Sequence, residues 1–297
     1  TYAQYVQDIR RAVNYFKENI PDIKGKRVGI MSRNCYEYGV NSFGAILAGA
    51  VVVTINQKKT WPELEYELGL VEPTAILTDG DDYGTKEQLE AAYGSILRPM
   101  DGFRSYEPVA EMPRCIDHDD LMVLMFTSGT TGRSKGVMLS EKNYFSAMRM
   151  YVAGQEAMMG KAQDLAPKDM NKPFSHFTLV PMFHLSGFIC YFAYGIQGWT
   201  LNLCADPRDV RRDMSMMHSD AMSTPPVRPP RQSGQAERPV EPELLFRHPR
   251  PGDPELPHRA RLLHQPVLLH DRAGRLRPAE HRAGGRAPAR SGQAGRL

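Results

Sequence analysis

The chain has 297 residues, 41% hydrophobic and 24% charged, which is enough apolar material for one large domain or two with a real core. A net charge of only +3 gives no support to a general polyanion-binding role, so no nucleic-acid partner is expected. The most apolar run, residues 43–55, is far short of the roughly 20 residues that span a bilayer, so no transmembrane segment is expected.

The net charge hides a split. Residues 225–297 hold 14 Arg, no Lys and 7 acidic residues, a net of +7, while the other 224 hold 23 basic and 27 acidic residues, a net of −4. These are two kinds of sequence joined together. The four cysteines, Cys35, Cys115, Cys190 and Cys204, form no CxxC pair. Scattered in this way they read as packed thiols in a reducing compartment, and a cytoplasmic location is expected. The opening residues are amphipathic and lack a basic segment followed by an apolar block, so no secretory signal is expected. Thr1 in place of Met points to a start further upstream.

Residues 1–20 read as a helix, with Tyr5, Ile9, Val13 and Phe16 at helical spacing and Pro21 ending it. Arg27–Met31 reads as a short buried strand after the turn at Gly25. A helix carrying Val40, Phe43 and Leu47 on one face follows, then a β-branched strand over 51–55. A helix over 61–70 and a strand over 74–78 continue the alternation, which implies βαβ units and a mainly parallel sheet. Residues 80–118 are less periodic and read as including surface connections. Leu121–Phe126 is an unbroken apolar run, as expected of a fully buried strand. After a loop at 127–136 come a short strand at 137–139, a helix over 143–152 and a flexible polar segment over 154–173. A strand over 177–180, a helix over 185–194 and a strand over 199–203 complete the pattern, without internal repeats.

From Pro225 the pattern breaks. This part holds 13 of the 23 prolines, no Ile, Tyr, Trp, Met or Lys, and one aromatic, Phe246. Proline recurs too often for helices or central strands. An Arg, Pro, Gly and Ala bias without Lys is what GC-rich DNA yields when read in a wrong frame. Two readings stand: a frameshift near Val227, or a natural disordered basic tail. The chain is therefore divided into 1–227, a partial domain, and 228–297, a Pro/Arg-rich disordered or frameshifted tail.

The densest chemical signal is Thr127-Ser128-Gly129-Thr130-Thr131-Gly132-Arg133-Ser134-Lys135-Gly136. Its glycines let the backbone turn tightly and present N–H groups to an anion, its hydroxyls add donors, and Lys135 adds a cation. Leaving a buried strand, the loop suits phosphate oxygens. It is not a Walker A loop, because Ser134 precedes the lysine and Gly136 follows it. With its flanks, the run FTSGTTGRSKGV resembles the signature of the superfamily of acyl-CoA synthetases, peptide-synthetase adenylation domains and luciferases. Its one departure is Ser134, where that family usually has proline. The segment Val180-Pro181-Met182-Phe183-His184-Leu185-Ser186-Gly187 resembles the family's next motif at the expected distance, and residues 219–227 also fit. The resemblance covers residues 1–227.

It implies an α/β fold of layered, mostly parallel sheets with flanking helices, the first part of the large N-terminal domain of an adenylate-forming enzyme. It implies ATP-dependent activation of a carboxylic acid, expected to be a fatty acid, to an acyl-adenylate and then transfer to coenzyme A. ATP, Mg²⁺, CoA and the acid are the implied small molecules. By resemblance Thr127, Ser128, Gly129, Thr130, Thr131, Gly132 and Lys135 hold the β- and γ-phosphates, and His184 lines the junction of the ATP site and the acyl pocket. The alternative for His184 is a packed or capping histidine at the start of the 185–194 helix. Phe183, Gly187 and Phe188 are candidates for shaping the same pocket, and Tyr191 and Phe192 for core or pocket.

The family's later motifs are missing: residues 225–297 have no Thr-Glu pair for Mg²⁺, no Tyr-Gly and no Lys for adenylation. The chain is expected to be truncated and inactive alone, with no metal ligand of its own and an exposed strand edge after Leu203. Two other readings remain. One is a peptide-synthetase adenylation-domain fragment. The other is a non-catalytic nucleotide-binding fragment with a nucleic-acid-contacting tail, against which the single tail aromatic argues.

Overall fold

The computed structural model describes residues 1–113, 119–127, 132–165 and 174–223, with the short pairs 269–270 and 276–277; for 158–165 and for these pairs it describes the backbone alone. Helix α1 (Tyr2–Asn19) starts at a capping box, in which Thr1 Oγ1 accepts from the Gln4 amide at 3.3 Å. Strand β1 (Arg27–Met31), helix α2 (Tyr36–Ala48), strand β2 (Val51–Thr54), helix α3 (Trp61–Val71) and strand β3 (Ala75–Thr78) then alternate. Helix α4 (Lys86–Tyr93) and strand β4 (Leu97–Pro99) lie inside the 80–118 stretch. Apolar periodicity does not reveal α4 because it is eight residues long and buries only Leu89.

Strands β5 (Leu121–Phe126) and β6 (Gly136–Ser140) close a six-stranded sheet of order β4-β3-β1-β2-β5-β6. All its pairings are parallel except β5 with β6, which is antiparallel and pairs Phe126 with Gly136. Successive strand residues point to opposite faces, and the core divides accordingly. Val28, Ile30, Val52, Ala75, Leu77, Val123 and Met125 face a cluster with residues of α1 and α2. Met31, Val51, Val53, Ile76 and Leu124 face another, with Leu64, Leu68 and Val71 of α3 and Leu89 of α4. This is a three-layer α/β arrangement with a mostly parallel sheet, as the sequence implies.

Helix α5 (Glu141–Leu165) runs well past the expected end at residue 152, through 154–165, which were read as a flexible segment. Ala153, Ala157, Met158, Lys161 and Ala162 are good helix formers, so the helix persists where its apolar stripe fades. Residues 166–173 lie outside the described residues. Strand β7 (Ser175–Thr178), helix α6 (Leu185–Gln197), strand β8 (Thr200–Leu203), helix α7 (Val210–Met217) and strand β9 (Ala221–Ser223) follow. They form a second, parallel sheet of order β8-β7-β9, whose outer strands each bond only to β7 among the described residues. Among the described residues β8 and β9 are thus the outer strands of this sheet.

In the tail, β10 (Leu269–His270) pairs antiparallel with β11 (Leu276–Arg277). The expectation of a disordered or frameshifted 228–297 otherwise falls outside the described residues. Cys190 and Cys204 are buried and Cys35 half-buried, all as free thiols. Burial raises the pKa of each, that of Cys190 to about 11. Cys115 lies outside the described residues.

Candidate functional site at the carboxyl edge of the parallel sheet

Strands β2 and β5 are parallel neighbours, so the segments that leave them emerge side by side at the carboxyl edge, where open α/β sheets form their ligand crevices. The segment after β5 is the Gly/Ser/Thr loop. It connects the two strands of the antiparallel β5–β6 ladder, and the Thr127 amide donates to the Lys135 carbonyl at 3.0 Å across its base. Gly132 has φ +140°, a backbone state side chains disfavour, and Arg133 and Lys135 are exposed. Ser128, Gly129, Thr130 and Thr131 lie outside the described residues, so of the phosphate candidates the structure places Thr127, Gly132 and Lys135 alone.

The loop's far limb rests on α3. The Arg133 guanidinium sits 4.8 Å from the centre of the Tyr66 ring. The Ser134 hydroxyl donates to Glu67 Oε1, which also takes the Lys59 ammonium. That ammonium lies 5.9 Å from the centre of the Phe126 ring, at the end of β5.

The segment after β2 bends at Asn56, whose side-chain oxygen accepts from the Lys58 amide at 3.0 Å, and presents Lys58 and Lys59. Thr54, the last residue of β2, donates its hydroxyl to the Phe183 carbonyl at 3.1 Å. That bond brings the second motif to the same edge. Asn34, 7% exposed in the turn between β1 and α2, grips the motif's backbone: its Nδ2 donates to the Val180 carbonyl and its Oδ1 accepts from the Met182 amide, both at 3.0 Å. The chain then folds back onto the first turn of α6, where a Cβ on Gly187 would stand 2.3 Å from the Pro181 carbonyl oxygen.

His184 is the N-cap residue of α6, but its side chain makes no capping hydrogen bond. Its amide donates to Pro181 O at 3.1 Å, its carbonyl accepts from the Phe188 amide at 2.9 Å, and its ring lies 4.6 Å from that of Phe183. The residue is partly exposed. Partial desolvation, with the positive charges of Lys58 and Lys59, holds the imidazole pKa below the ordinary histidine value. A neutral imidazole beside two ammonium groups can donate to and orient an anionic ligand.

The pocket candidates separate. Phe188 is fully buried between Tyr38 and Tyr144, and is core. Tyr191 stacks on Tyr38 at 6.3 Å and donates to the Cys35 carbonyl at 2.5 Å, and Phe192 packs on Tyr144 at 4.9 Å; these too are core. Asn34, Thr54, Lys58, Lys59 and Glu67 were not singled out in the sequence. Glu67 carried a signal, a carboxylate on the apolar stripe of α3 with Leu64, Leu68 and Val71, which a buried partner has to explain.

An α/β domain with a Gly/Ser/Thr loop and a lysine-bearing segment at one sheet edge has groups of a kind that suit an anionic ligand. Residues 1–226 match the family model of the AMP-binding enzymes, and the chain belongs to that family. It is 24% identical to a long-chain-fatty-acid–CoA ligase of Salmonella typhimurium, over 71% of this chain and 43% of the relative. It is 27% identical to the 3-[(3aS,4S,7aS)-7a-methyl-1,5-dioxo-octahydro-1H-inden-4-yl]propanoyl:CoA ligase of Rhodococcus jostii, over 69% of this chain and 42% of that protein. The chain thus spans less than half the length of these curated relatives. Among solved structures, the o-succinylbenzoate coenzyme A synthetase of Bacillus subtilis in complex with ATP and magnesium ion superposes with a TM-score of 0.57 at 21% identity, covering 75% of this chain and 56% of that one. A fatty acyl CoA synthetase of Mycobacterium tuberculosis gives 0.58 at 22%, covering 74% and 42%. At such identities the likeness is one of fold. No helix among the described residues is long and apolar enough to cross a membrane.

Proposed function

We propose that this chain is the opening part of an AMP-forming acid–thiol ligase that activates a carboxylic acid, most simply a fatty acid, for transfer to coenzyme A. The observation that carries the reading is the meeting of three segments at one sheet edge. They are the 127–136 loop after β5, the Lys58–Lys59 turn after β2, and the His184 segment tied to Thr54 and Asn34. In the first half-reaction a carboxylate oxygen attacks the α-phosphorus of ATP. The new C(=O)O–P bond forms as the bridging P–O bond to the β-phosphate breaks, and pyrophosphate leaves. The main obstacle is bringing two anions together, which positioned donors and cations reduce.

In this reading Thr127, Ser128, Gly129, Thr130, Thr131, Gly132 and Lys135 hold the β- and γ-phosphates. His184, kept neutral, orients the acid, and the exposed Lys58 makes the potential the acid meets on approach more positive. Mg²⁺ in phosphate-transfer sites is held by one or two carboxylates together with the substrate's own phosphates, and among the described residues no group of three or more His, Cys, Asp or Glu side chains could hold a metal ion.

The test is ATP–pyrophosphate exchange on a chain whose reading frame is restored past residue 227, with fatty, aromatic and amino acids as separate substrates. Exchange that depends on a fatty acid is the expected result. Exchange with amino acids alone overturns it in favour of a peptide-synthetase adenylation domain.

A further inference from the structure

Helix α3 offers two consecutive side chains to two consecutive residues of the loop: Tyr66 lies under Arg133 and Glu67 accepts from Ser134. Glu67 is 3% exposed, and a carboxylate so far from water stays charged only when it is paired. Lys59, its side chain 12% exposed, supplies the pairing charge. Thr60 and Glu63 form a capping box at the start of α3, which fixes the residue after Lys59 and sets the direction from which its ammonium returns to Glu67. The same ammonium lies against Phe126, so one ion pair touches the strand before the loop and the limb after it. The loop's base is already closed between Thr127 and Lys135. The Ser134 bond adds a side-chain restraint where the resembling family has a ring to restrict φ and this chain has none.

We propose that Glu67, neutralised by Lys59, is a positioning residue that anchors the exit limb of the 127–136 loop through the Ser134 hydroxyl and so sets where Lys135 meets a bound polyphosphate. The inference rests on reading that loop as a phosphate site. Neutralisation matters to the role, because an unpaired carboxylate beside the loop would repel the anion and compete for Lys135.

Amide hydrogen exchange on the 297-residue chain, read by mass spectrometry, tests the anchor without any ligand. Ser134→Ala is expected to speed exchange at 132–137 about tenfold, the worth of one hydrogen bond to a charged group, while β1 and β3 stay within about twofold. Ser134→Thr keeps the hydroxyl and is expected to restore slow exchange. In a Glu67→Ala background, Ser134→Ala is expected to add nothing. No acceleration in Ser134→Ala, the same acceleration in Ser134→Thr, or an equal step in both backgrounds overturns the proposal. If Glu67→Ala does not fold, the alanine–threonine comparison at 134 decides alone.

Inorganic tripolyphosphate is the second probe. The concentration that half-protects residues 126–139 is expected to rise about tenfold in Ser134→Ala at unchanged Tm, and to return in Ser134→Thr. An unshifted midpoint overturns the positioning role. A wild-type chain that tripolyphosphate never protects counts against the phosphate reading, and the ligand-free exchange pattern still decides the anchor.

Discussion

His184 heads a helix without capping it, lies on Phe183 and faces two lysines, an arrangement that contributes little to stability. In a chain that carries the rest of the fold, His184→Ala is expected to lower exchange activity by roughly ten- to a hundredfold, the worth of a charge-assisted contact of about 1.5–3 kcal/mol, with Tm moved by little. A large loss of Tm with full activity per folded molecule would assign the ring to packing. Lys135→Ala and Thr130→Ala are expected to raise the apparent KM for ATP, or to lower kcat, by similar factors with the fold intact, and wild-type kinetics in both would remove the loop from the site. The loop was legible because its chemistry is local: ten adjacent residues hold the glycines, hydroxyls and lysine that an anion needs. Asn34 was illegible for the converse reason, since its partners lie about 150 positions away and an Asn after a strand has many uses.

The elements around the site make two further expectations. Gly187 lets the first turn of α6 lie against the Pro181 carbonyl, and an added methyl would stand 2.3 Å from that oxygen. Gly187→Ala is expected to cost about 1–3 kcal/mol through overpacking, seen as a lower urea midpoint at unchanged m. On β7, His176 pairs Nε2 with Ser223 Oγ at 2.8 Å across the β7–β9 ladder, and burial lowers its pKa from 6.5 to about 4. The unfolded chain therefore binds the proton more readily. The stability of the neutral form is whole above pH 6.5, falls as pH drops toward 4, and levels off below that, a span of about 3 kcal/mol. Denaturant titrations between pH 7 and 4 should show this slope and His176→Gln should flatten it; equal slopes would locate the titration elsewhere. At this scale the strands and longer helices were readable from period, whereas α4 and the second half of α5 were not, because neither carries a sustained apolar stripe.

As a whole molecule, the chain offers the loop and His184 from one portion of a fold, the match covering 43% and 42% of its two curated relatives. The 297-residue chain alone is expected to release no pyrophosphate above background with ATP, Mg²⁺ and any fatty or aromatic acid, while a chain that carries the rest of the fold does. Robust release by the shorter chain would mean that its tail completes the site. Alternating strands and helices made the α/β class legible, but not the order β4-β3-β1-β2-β5-β6, since period tells which face a residue takes and not which strand lies beside it. The seam between the two sheets has a further consequence, for how the protein tolerates mutation. Asn34 holds main-chain atoms of residues 180 and 182, so its own amide is indispensable while the side chains opposite are not. Aspartate would lose the donor and alanine both bonds, whereas another apolar residue at 180 leaves its carbonyl where it was. Random replacement of positions 34, 180 and 182 should return asparagine almost alone at the first, varied apolar residues at the second, and at the third, where Met182 is packed, only those of similar volume.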